Sequence, residues 1–413
     1  MQLGLNNSEV QKMNRCLILK LMLEKGGITR TELSSCTGLQ KATITNIINE
    51  FINMGIVVDA SGNPAEAARR GDTLKLDLEG MYILSVSINR KNYKVYLYTL
   101  NGKLKLECER EISRKEDIHK TLKALKGDIY GVLEQIGKNR IVGACLGMPG
   151  PYIKKETEIA LVSGFEQLSR IDVRKELEQE FQIPFLSEHD AKLSAFAEWK
   201  NLNDIKDKND ISLVALRSTG VGIGAGIIIK GRIVEGKLGI AGEIGHMGIN
   251  YNQKRKGTNH KGVLEQHAGT EIAVKYVGER LYEFPDSILN EESGYGEIVK
   301  AYQEGDPLAE YAIHKLAWMV GYGLSSIVYI LNPDYIILGR DYPESEDFLS
   351  QVRKSMEEFV HPMILESVSV RASAITEDSI MLGGYYFAVE YLLNHNLLLN
   401  CIKRVKFGEE ETE

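Results

Sequence analysis

Acidic and imidazole side chains are grouped at three places in the chain, and their chemistry suits the binding of hydroxyl groups. His189 and Asp190 are adjacent, Glu243 and His246 lie three residues apart, and Glu265 follows a third glycine-containing segment. Carboxylates accept hydrogen bonds from hydroxyl groups, and a neutral imidazole both donates and accepts. A few polar groups in fixed positions can select one small polar ligand. Side chains of these types are suitable partners for hydroxyl groups.

A run of glycines precedes Glu243 in the chain. The segment STGVGIGAG at 218–226 contains four of them. Glycine allows a backbone to approach a ligand closely and to take positive φ, and consecutive N–H groups in such a turn can bind an anion. We expect a strand over 211–216, a glycine-rich turn, and a second strand over 227–230. A glycine-rich turn alone is a weak signal of function.

Together these motifs resemble the ROK family of repressors, open reading frames and sugar kinases, and the resemblance covers nearly the whole chain. GMPGP at 147–151 resembles the family's Gly-x-Pro-Gly-Pro loop, and EHDA at 188–191 resembles its Glu-Asn-Asp-Ala stretch, in which Asp is the kinase base. The resemblance implies an actin-like (ribonuclease H-like) sugar-kinase fold of two lobes. The sugar-binding residues that it implies are Gly150, His189, Asp190, Glu243, His246 and Glu265.

The chain departs from the kinases of this family where they bind phosphate. Their Asp-x-Gly-Gly-Thr motif corresponds to Ser87, Ile88, Asn89, Arg90 and Lys91. One anchor for Mg²⁺ and the transferred phosphoryl group is therefore missing, and bulky side chains replace the glycines. A further family Gly-Gly corresponds to Gly339-Arg340. We expect no ATP as cofactor and no enzymatic phosphoryl transfer; whether Arg90 and Lys91 fill the former phosphate site or attract a phosphorylated ligand stays open.

Two further departures concern metal and sugar. The family's zinc site uses cysteines, and the corresponding segment at 256–263 contains none, so we expect no zinc. A metal held by His246, His260 and His267 is a less favoured alternative. His189 replaces the family's Asn, so the ligand stays open among a hexose, a pentose, an aminosugar and a disaccharide.

The first eighty residues predict a winged helix-turn-helix domain. Apolar periodicity indicates helices over 10–23, 30–36 and 41–54, and strands follow over 56–58 and 74–76. Thr29 and Glu32 have the spacing of a capping box at the start of the second helix. Helix, short helix, turn, helix and a two-stranded wing are the order of a winged DNA-binding domain. The first helix is indicated by apolar side chains that recur at near-helical spacing, Val10, Met13, Leu17, Leu21 and Leu23.

The third helix and the wing carry the candidate DNA contacts. Short polar side chains and one lysine at the start of that helix suit base edges and phosphates in a major groove, and paired arginines on a wing suit a narrow minor groove. A helical protein-interaction module is the alternative. The candidate DNA-binding residues are Gln40, Lys41, Thr43, Thr45, Asn46, Arg69 and Arg70.

From residue 79 onward, short strands alternate with helices, which indicates an α/β fold. We expect a strand meander over 82–88, 93–100 and 103–109, a helix over 115–136, a strand over 140–147, and a helix over 382–393 opened by Gly383-Gly384. The predicted domains are a head at 1–78, a first lobe at 79–190 completed by 379–413, and a second lobe at 191–378 with the cleft and dimerisation elements.

Composition and charge exclude some classes of protein. The five cysteines are scattered, and no apolar run approaches the roughly 18 residues that span a bilayer, so we expect a cytoplasmic protein without a membrane partner. The net charge is −7, but residues 1–58 hold six Lys or Arg against four Asp or Glu. An acidic body with a mildly basic N-terminal end is compatible with a DNA-reading head on a sensor.

The sequence as a whole predicts a sugar-responsive transcriptional repressor. It is expected to bind an inverted-repeat operator as a homodimer and to respond to a small carbohydrate held between the lobes. The alternatives are an active sugar kinase with a DNA-binding head, and a ligand-independent DNA-binding regulator whose cleft has decayed.

Overall fold

The computed structural model describes residues 7–59, 73–113, 116–153, 158–159, 167–205, 207–220, 222–253 and 261–408. They belong to two compact units, one of residues 1–146, 173–187 and 384–413, the other of residues 147–172 and 188–383. The helices are α1 (Asn7–Lys25), α2 (Arg30–Thr37), α3 (Lys41–Asn53), α4 (Ile118–Ile136), α5 (Val173–Phe181), α6 (Asp190–Asn201), α7 (Glu265–Ala268), α8 (Ile272–Arg280), α9 (Tyr295–Gln303), α10 (Pro307–Leu331), α11 (Glu346–Glu357), α12 (Pro362–Leu365), α13 (Ser379–Asn394) and α14 (Leu398–Phe407). The strands are β1 (Val57–Asp59), β2 (Leu74–Leu76), β3 (Tyr82–Ile88), β4 (Asn92–Thr99), β5 (Leu104–Glu111), β6 (Ile141–Met148), β7 (Tyr152–Ile153), β8 (Glu158–Ile159), β9 (Phe185–His189), β10 (Ser212–Ser218), β11 (Ile223–Ile229), β12 (Arg232–Ile233), β13 (Tyr335–Leu338) and β14 (Ser369–Ala372).

The N-terminal head has the predicted order of three helices and a two-stranded wing. Thr29 Oγ1 accepts from the Glu32 backbone N–H, and the Glu32 carboxylate accepts from the Thr29 backbone N–H, which is the predicted capping box. Gly38, at φ +69°, ends α2 in a conformation that glycine adopts without strain. Strand β1 pairs antiparallel with β2. The prediction of a winged helix-turn-helix is confirmed.

The predicted helix α1 is confirmed, but the apolar side chains that indicated it do not form its buried face. Val10, Met13 and Leu17 are exposed, whereas Leu19 and Met22 are buried, as is Ile18. Helix α1 carries apolar side chains on two sides, and contacts with β2 and α2 select one of them.

A five-stranded sheet forms the body of the first unit. Its order is β5-β4-β3-β6-β9, and β3, β4 and β5 form the predicted antiparallel meander. Helix α4 packs on β4, and its buried apolar side chains include Ile118, Leu122, Leu125, Ile129 and Leu133.

The second unit contains another five-stranded sheet, of order β12-β11-β10-β13-β14. The expected start of its second strand is wrong, because β11 begins at Ile223, inside the glycine run. Gly226 lies within that strand, and a Cβ there would be 2.3 Å from Ala195 Cβ of α6. The glycines within β11 therefore serve close packing of α6 on this strand.

The expected start of the late apolar helix is also wrong. Gly383 and Gly384 lie inside α13, where a Cβ on Gly383 would be 2.0 Å from the Leu193 carbonyl oxygen. The helix therefore uses glycine for close packing and begins earlier, where Asp378 accepts from the backbone N–H groups of Ile380 and Met381.

A final helix, α14, was not predicted from the sequence. Its Arg404 donates to the Ile141 carbonyl at 3.1 Å, and its Lys406 donates to the Gly55 carbonyl at 2.7 Å and pairs with Asp77 at 2.5 Å. Helix α14 therefore contacts both the head and the sheet of the first unit.

Across the part of the chain that the structure describes, no helix is both long and apolar enough to cross a membrane.

Candidate functional site

The candidate sugar-binding residues all belong to the second unit, on four separate segments. His189 ends β9 and Asp190 begins α6. Glu243 directly precedes a short 3-10 turn at Ile244–His246, and Glu265 begins α7. Gly150 lies two residues after β6. The ends of these elements bring six residues that are distant in sequence into one neighbourhood.

His189 lies at the centre of this group, with only 5% of its side chain exposed. Its Nε2 is 3.1 Å from Asp190 Oδ1, and its Nδ1 is 3.5 Å from Glu243 Oε1. The imidazole therefore bridges two of the expected ligand carboxylates. Glu243 Oε1 is buried and has no hydrogen-bond partner among the described residues, so it can still accept a hydrogen bond from a ligand.

Gly150 packs directly against His189 and Glu243, which leave no room for a side chain at this position. A Cβ at this position would be 2.4 Å from His189 Nε2 and 2.5 Å from Glu243 Oε1. Such distances are far below ordinary carbon contacts of about 3.5–4.0 Å. Residue 150 is therefore restricted to glycine because any larger residue would collide with His189 and Glu243.

The backbone around Glu243 is fixed against β11. Gly242 has φ +98°, and a Cβ there would be 2.1 Å from the Ala225 carbonyl oxygen. The Ala225 backbone N–H donates to the Gly242 carbonyl at 3.0 Å. This close approach sets the position from which the Glu243 side chain extends toward His189.

His246 and Glu265 form the more open part of the group. His246 Nδ1 lies 3.9 Å from Glu265 Oε1, and 33% and 22% of the two side chains are exposed. A Cβ on Gly245 would be 3.2 Å from Glu265 Oε2, so the Gly-His pair lies directly against this carboxylate. The structure brings all six predicted residues together; their role in binding stays a prediction.

Electrostatics favours a protonated His189. Burial by itself lowers the pKa of this imidazole, but the hydrogen bond and charge of Asp190 and the charge of Glu243 outweigh it, and the pKa is raised. Burial raises the pKa of Glu243, against the opposing charges of His189 and His246. An imidazolium at residue 189 donates to Asp190 and places its charge 3.5 Å from Glu243 Oε1.

The end of β10, directly before the glycine-rich turn, is bonded to other side chains of the chain. Arg217 Nε donates to Asp341 Oδ2 at 2.5 Å, and the same carboxylate oxygen accepts from the Ser218 backbone N–H at 3.2 Å. Arg217 also donates to Ser379 Oγ at 2.7 Å. The Thr219 N–H donates to the Gly222 carbonyl. A carboxylate of the chain therefore takes one amide that we expected to bind an anion, a pairing that the sequence did not indicate.

The histidines considered for a metal do not form a site within the described residues. No group of three or more His, Cys, Asp or Glu there is arranged to hold a metal ion, and His260 lies outside them. Burial lowers the pKa of His267.

The candidate DNA-binding residues of the third helix lie on its accessible side. Gln40 precedes α3, and Lys41, Thr45 and Asn46 are exposed, whereas Thr43 is partly buried. Ile44, Ile47, Ile48 and Phe51 fix the opposite side in the core of the head. Arg69 and Arg70 lie outside the described residues.

Comparison with known families supports both parts of the chain. A profile described as winged helix-turn-helix DNA-binding matches residues 14–58, and the ROK family profile matches residues 83–390. The chain belongs to the ROK family. As a ROK protein with a DNA-binding head, it has the predicted fold class, a winged helix-turn-helix followed by a sugar-kinase-like α/β body.

Relatives of this ROK protein are named as repressors. It is 25% identical to the xylose repressor of Caldicellulosiruptor bescii over 406 residues, which cover 94% of this chain and 98% of the relative. It is 23% identical to the DNA-binding transcriptional repressor Mlc of Escherichia coli over 401 residues, covering 96% and 97% of the two chains.

Solved structures show the same fold. A ROK family transcriptional regulator, a homologue of the E. coli Mlc protein, has a TM-score of 0.79 at 23% identity and covers 95% of this chain and 99% of its own. A ROK family glucokinase from Streptomyces griseus, solved with glucose and AMPPNP, has a TM-score of 0.62 at 20% identity and covers 75% and 99%. The regulator extends over the head, whereas the kinase covers a smaller share of the chain.

Proposed function

We propose that this ROK protein is a DNA-binding transcriptional repressor whose affinity for its operator is changed by a bound carbohydrate. The observation that carries this proposal is the presence, in one chain, of a winged head with an exposed polar helix face and a buried group of carboxylates and imidazoles. The names of the relatives support the repressor interpretation over the kinase alternative.

The carbohydrate is proposed to bind at Gly150, His189, Asp190, Glu243, His246 and Glu265. Carboxylates held in fixed directions are suitable acceptors for sugar hydroxyl groups, and His246 adds a further polar group at the open side. Because several relatives are named xylose repressors, D-xylose is the first ligand to test. Operator affinity then changes only by as much as the sugar prefers one state of the protein over the other.

The protein is proposed to bind its sugar without phosphorylating it. The Arg217–Asp341 pair supports this proposal, because Asp341 Oδ2 already accepts from the Ser218 amide beside the glycine-rich turn, and this amide is therefore not available to a nucleotide phosphate. The replacement of the kinase phosphate motif by residues that include Ser87, Asn89, Arg90 and Lys91 also supports binding without phosphoryl transfer.

The repressor is proposed to act in the cytoplasm as a homodimer on an inverted-repeat operator, since two heads related by a twofold axis read two half-sites. An exposed aromatic surface supports self-association. Trp318 and Phe359 have ring centroids 6.3 Å apart, and both side chains are exposed, as is that of Tyr329, whose hydroxyl accepts from the His361 backbone N–H. Met363 lies close to Phe359 in the sequence, and 74% of this residue is exposed. Exposed apolar clusters of this kind commonly mark protein interfaces.

The decisive experiment combines DNA selection with ligand titration. DNA selected from a random pool by the purified protein supplies the operator, and D-xylose, D-glucose, N-acetylglucosamine and ATP-Mg²⁺ are then titrated against the complex. Release of DNA by one sugar, without ADP formation, supports the proposal. ADP formation with a sugar supports the kinase alternative, and DNA binding that no sugar alters supports a ligand-independent regulator.

A further inference from the structure

Lys192 is a fully buried lysine beside the candidate sugar site. It lies in α6, two residues after Asp190, and none of its side chain is exposed. Lysine is almost never fully buried unless its charge is paired, because removing an ammonium group from water is costly. Its Nζ donates to the Gly239 carbonyl and lies 3.9 Å from Glu188 Oε1. The structure thus compensates the charge with one carbonyl and one nearby carboxylate.

The carbonyl that Lys192 holds belongs to the segment leading to Glu243. This segment, residues 234–243, follows β12 and takes positive φ at Gly236, Gly239 and Gly242. Its two ends are tied to β11, by the Val234 N–H to the Ile227 carbonyl and by the Ala225 N–H to the Gly242 carbonyl. Gly239 lies between these ends, and the ammonium of Lys192 holds it to α6.

We infer that Lys192 is a positioning residue for Glu243 and that it selects for uncharged sugars at this site. The same helix presents Asp190 at its start, so the lysine connects the two segments that supply the carboxylates flanking His189. When the 234–243 segment is held by its centre, Glu243 keeps the separation from His189 that a ligand requires. The ligand part of this inference rests on the proposed function; the positioning part does not.

The charges of the group explain the selection for uncharged sugars. Glu188, Asp190, Glu243 and Glu265 are carboxylates, and the basic side chains near them include Lys192, His189, His246 and Arg217. Each of these basic side chains already faces a carboxylate, which for Arg217 is that of Asp341, so none offers an unpaired positive charge to a phosphate or an acidic sugar. An anionic ligand would meet an excess of negative charge in a buried site, where such repulsion is strong.

The test replaces Lys192 with Met, which keeps a long unbranched side chain and removes the charge. The matched control is Lys200→Met in the same helix, where the lysine lies at the surface over the Trp199 ring. Binding of D-xylose, D-glucose and glucose 6-phosphate is measured by calorimetry, and amide hydrogen exchange of residues 234–243 is measured without ligand.

We expect Lys192→Met to weaken binding of the sugar by about tenfold or more, the scale of a hydrogen bond to a charged group. Exchange in residues 234–243 should become faster, whereas Lys200→Met should change neither. Lys192 also lowers the pKa of both His189 and Glu243 through its charge. The pH dependence of sugar binding should therefore move to higher pH in Lys192→Met, which a purely structural defect would not cause.

Three results separate this inference from the proposed function. Wild-type affinity and wild-type exchange in Lys192→Met overturn it, and so does tight binding of glucose 6-phosphate by the wild-type protein. Faster exchange in a protein that binds no tested sugar supports the positioning role and refutes the proposed ligand class. If the Met variant does not fold, Lys192→Gln, which keeps an N–H donor without the charge, is measured by the same criteria.

Discussion

Replacing Gly150 with Ala should damage sugar binding while the protein remains folded. The new methyl carbon would lie 2.4 Å from His189 Nε2, 2.5 Å from Glu243 Oε1 and 2.7 Å from His189 Cε1. Carbon contacts are normally about 3.5–4.0 Å, so both side chains must move by roughly 1 Å. The backbone of Gly150 is not in the positive-φ region, so the substitution adds no backbone strain there. The whole effect therefore comes from displaced side chains.

The size of the effect follows from these contacts. Overpacking a buried site costs about 1–3 kcal/mol, and each kcal/mol lowers Tm by roughly 2–4 °C in domains of 150–250 residues. A fall in Tm of a few degrees is expected. Two side chains that leave their positions lose hydrogen bonds to the ligand, and each charged hydrogen bond contributes about 1.5–3 kcal/mol, so affinity should fall by about a hundredfold or more.

The assay is calorimetric titration of D-xylose, or of the sugar that releases the operator, together with thermal unfolding of the ligand-free protein. Gly248→Ala is the matched control, because a Cβ at that glycine meets no atom within 4 Å. Its affinity and Tm should equal those of the wild type. Wild-type affinity in Gly150→Ala would refute the placement of the ligand beside His189 and Glu243.

Three further predictions concern the head, the titration of the site and self-association. Lys41→Ala should reduce the slope of log affinity against log salt concentration by about 0.9, as expected for one lost phosphate contact. Asn46→Ala should weaken the preference for one base pair by about 1–3 kcal/mol. If both variants weaken binding equally on all DNA sequences, the assignment of Lys41 to phosphate and Asn46 to a base is wrong. Because the pKa of His189 is raised in the folded state, its protonation stabilises that state fully below the unfolded pKa of about 6.5. This contribution to the free energy of unfolding is lost as pH rises through the folded pKa. The difference in that free energy between wild type and His189→Asn, measured by denaturant titration, should therefore shrink with rising pH. A constant difference would show that His189 does not titrate in this range. Trp318→Ala with Met363→Asp should convert a dimer to a monomer in sedimentation velocity, and an unchanged dimer would exclude this surface as the interface.

The head was predictable because its signals are local in sequence. The capping box depends only on Thr29 and Glu32, three residues apart, and the structure contains both of its hydrogen bonds. The buried face of α1 was not predictable in this way. Leu17 and Ile18 are adjacent and equally apolar, and contacts with elements far along the chain decide that Ile18 is buried.

The candidate site was predictable in its residues but not in its interactions. Resemblance to a family named His189 and Glu243, but their bridge depends on Gly150, which is distant from both in sequence. Lys192 gave no sequence signal, because a lysine in an α-helix is ordinarily exposed, and only its packing shows that it is buried. The Arg217–Asp341 pair likewise joins residues separated by 124 positions.

The contacts of α14 have a consequence for the order of events during synthesis. Lys406, which holds the Gly55 carbonyl of the head, is translated 351 positions after that glycine. N-terminal segments leave the ribosome first and generally fold first. The DNA-reading head is therefore complete long before the helix that holds it to the body exists, and a nascent chain carries a head that is tethered but not yet docked. Regulation by a ligand that acts through the body begins only when translation has passed this last helix.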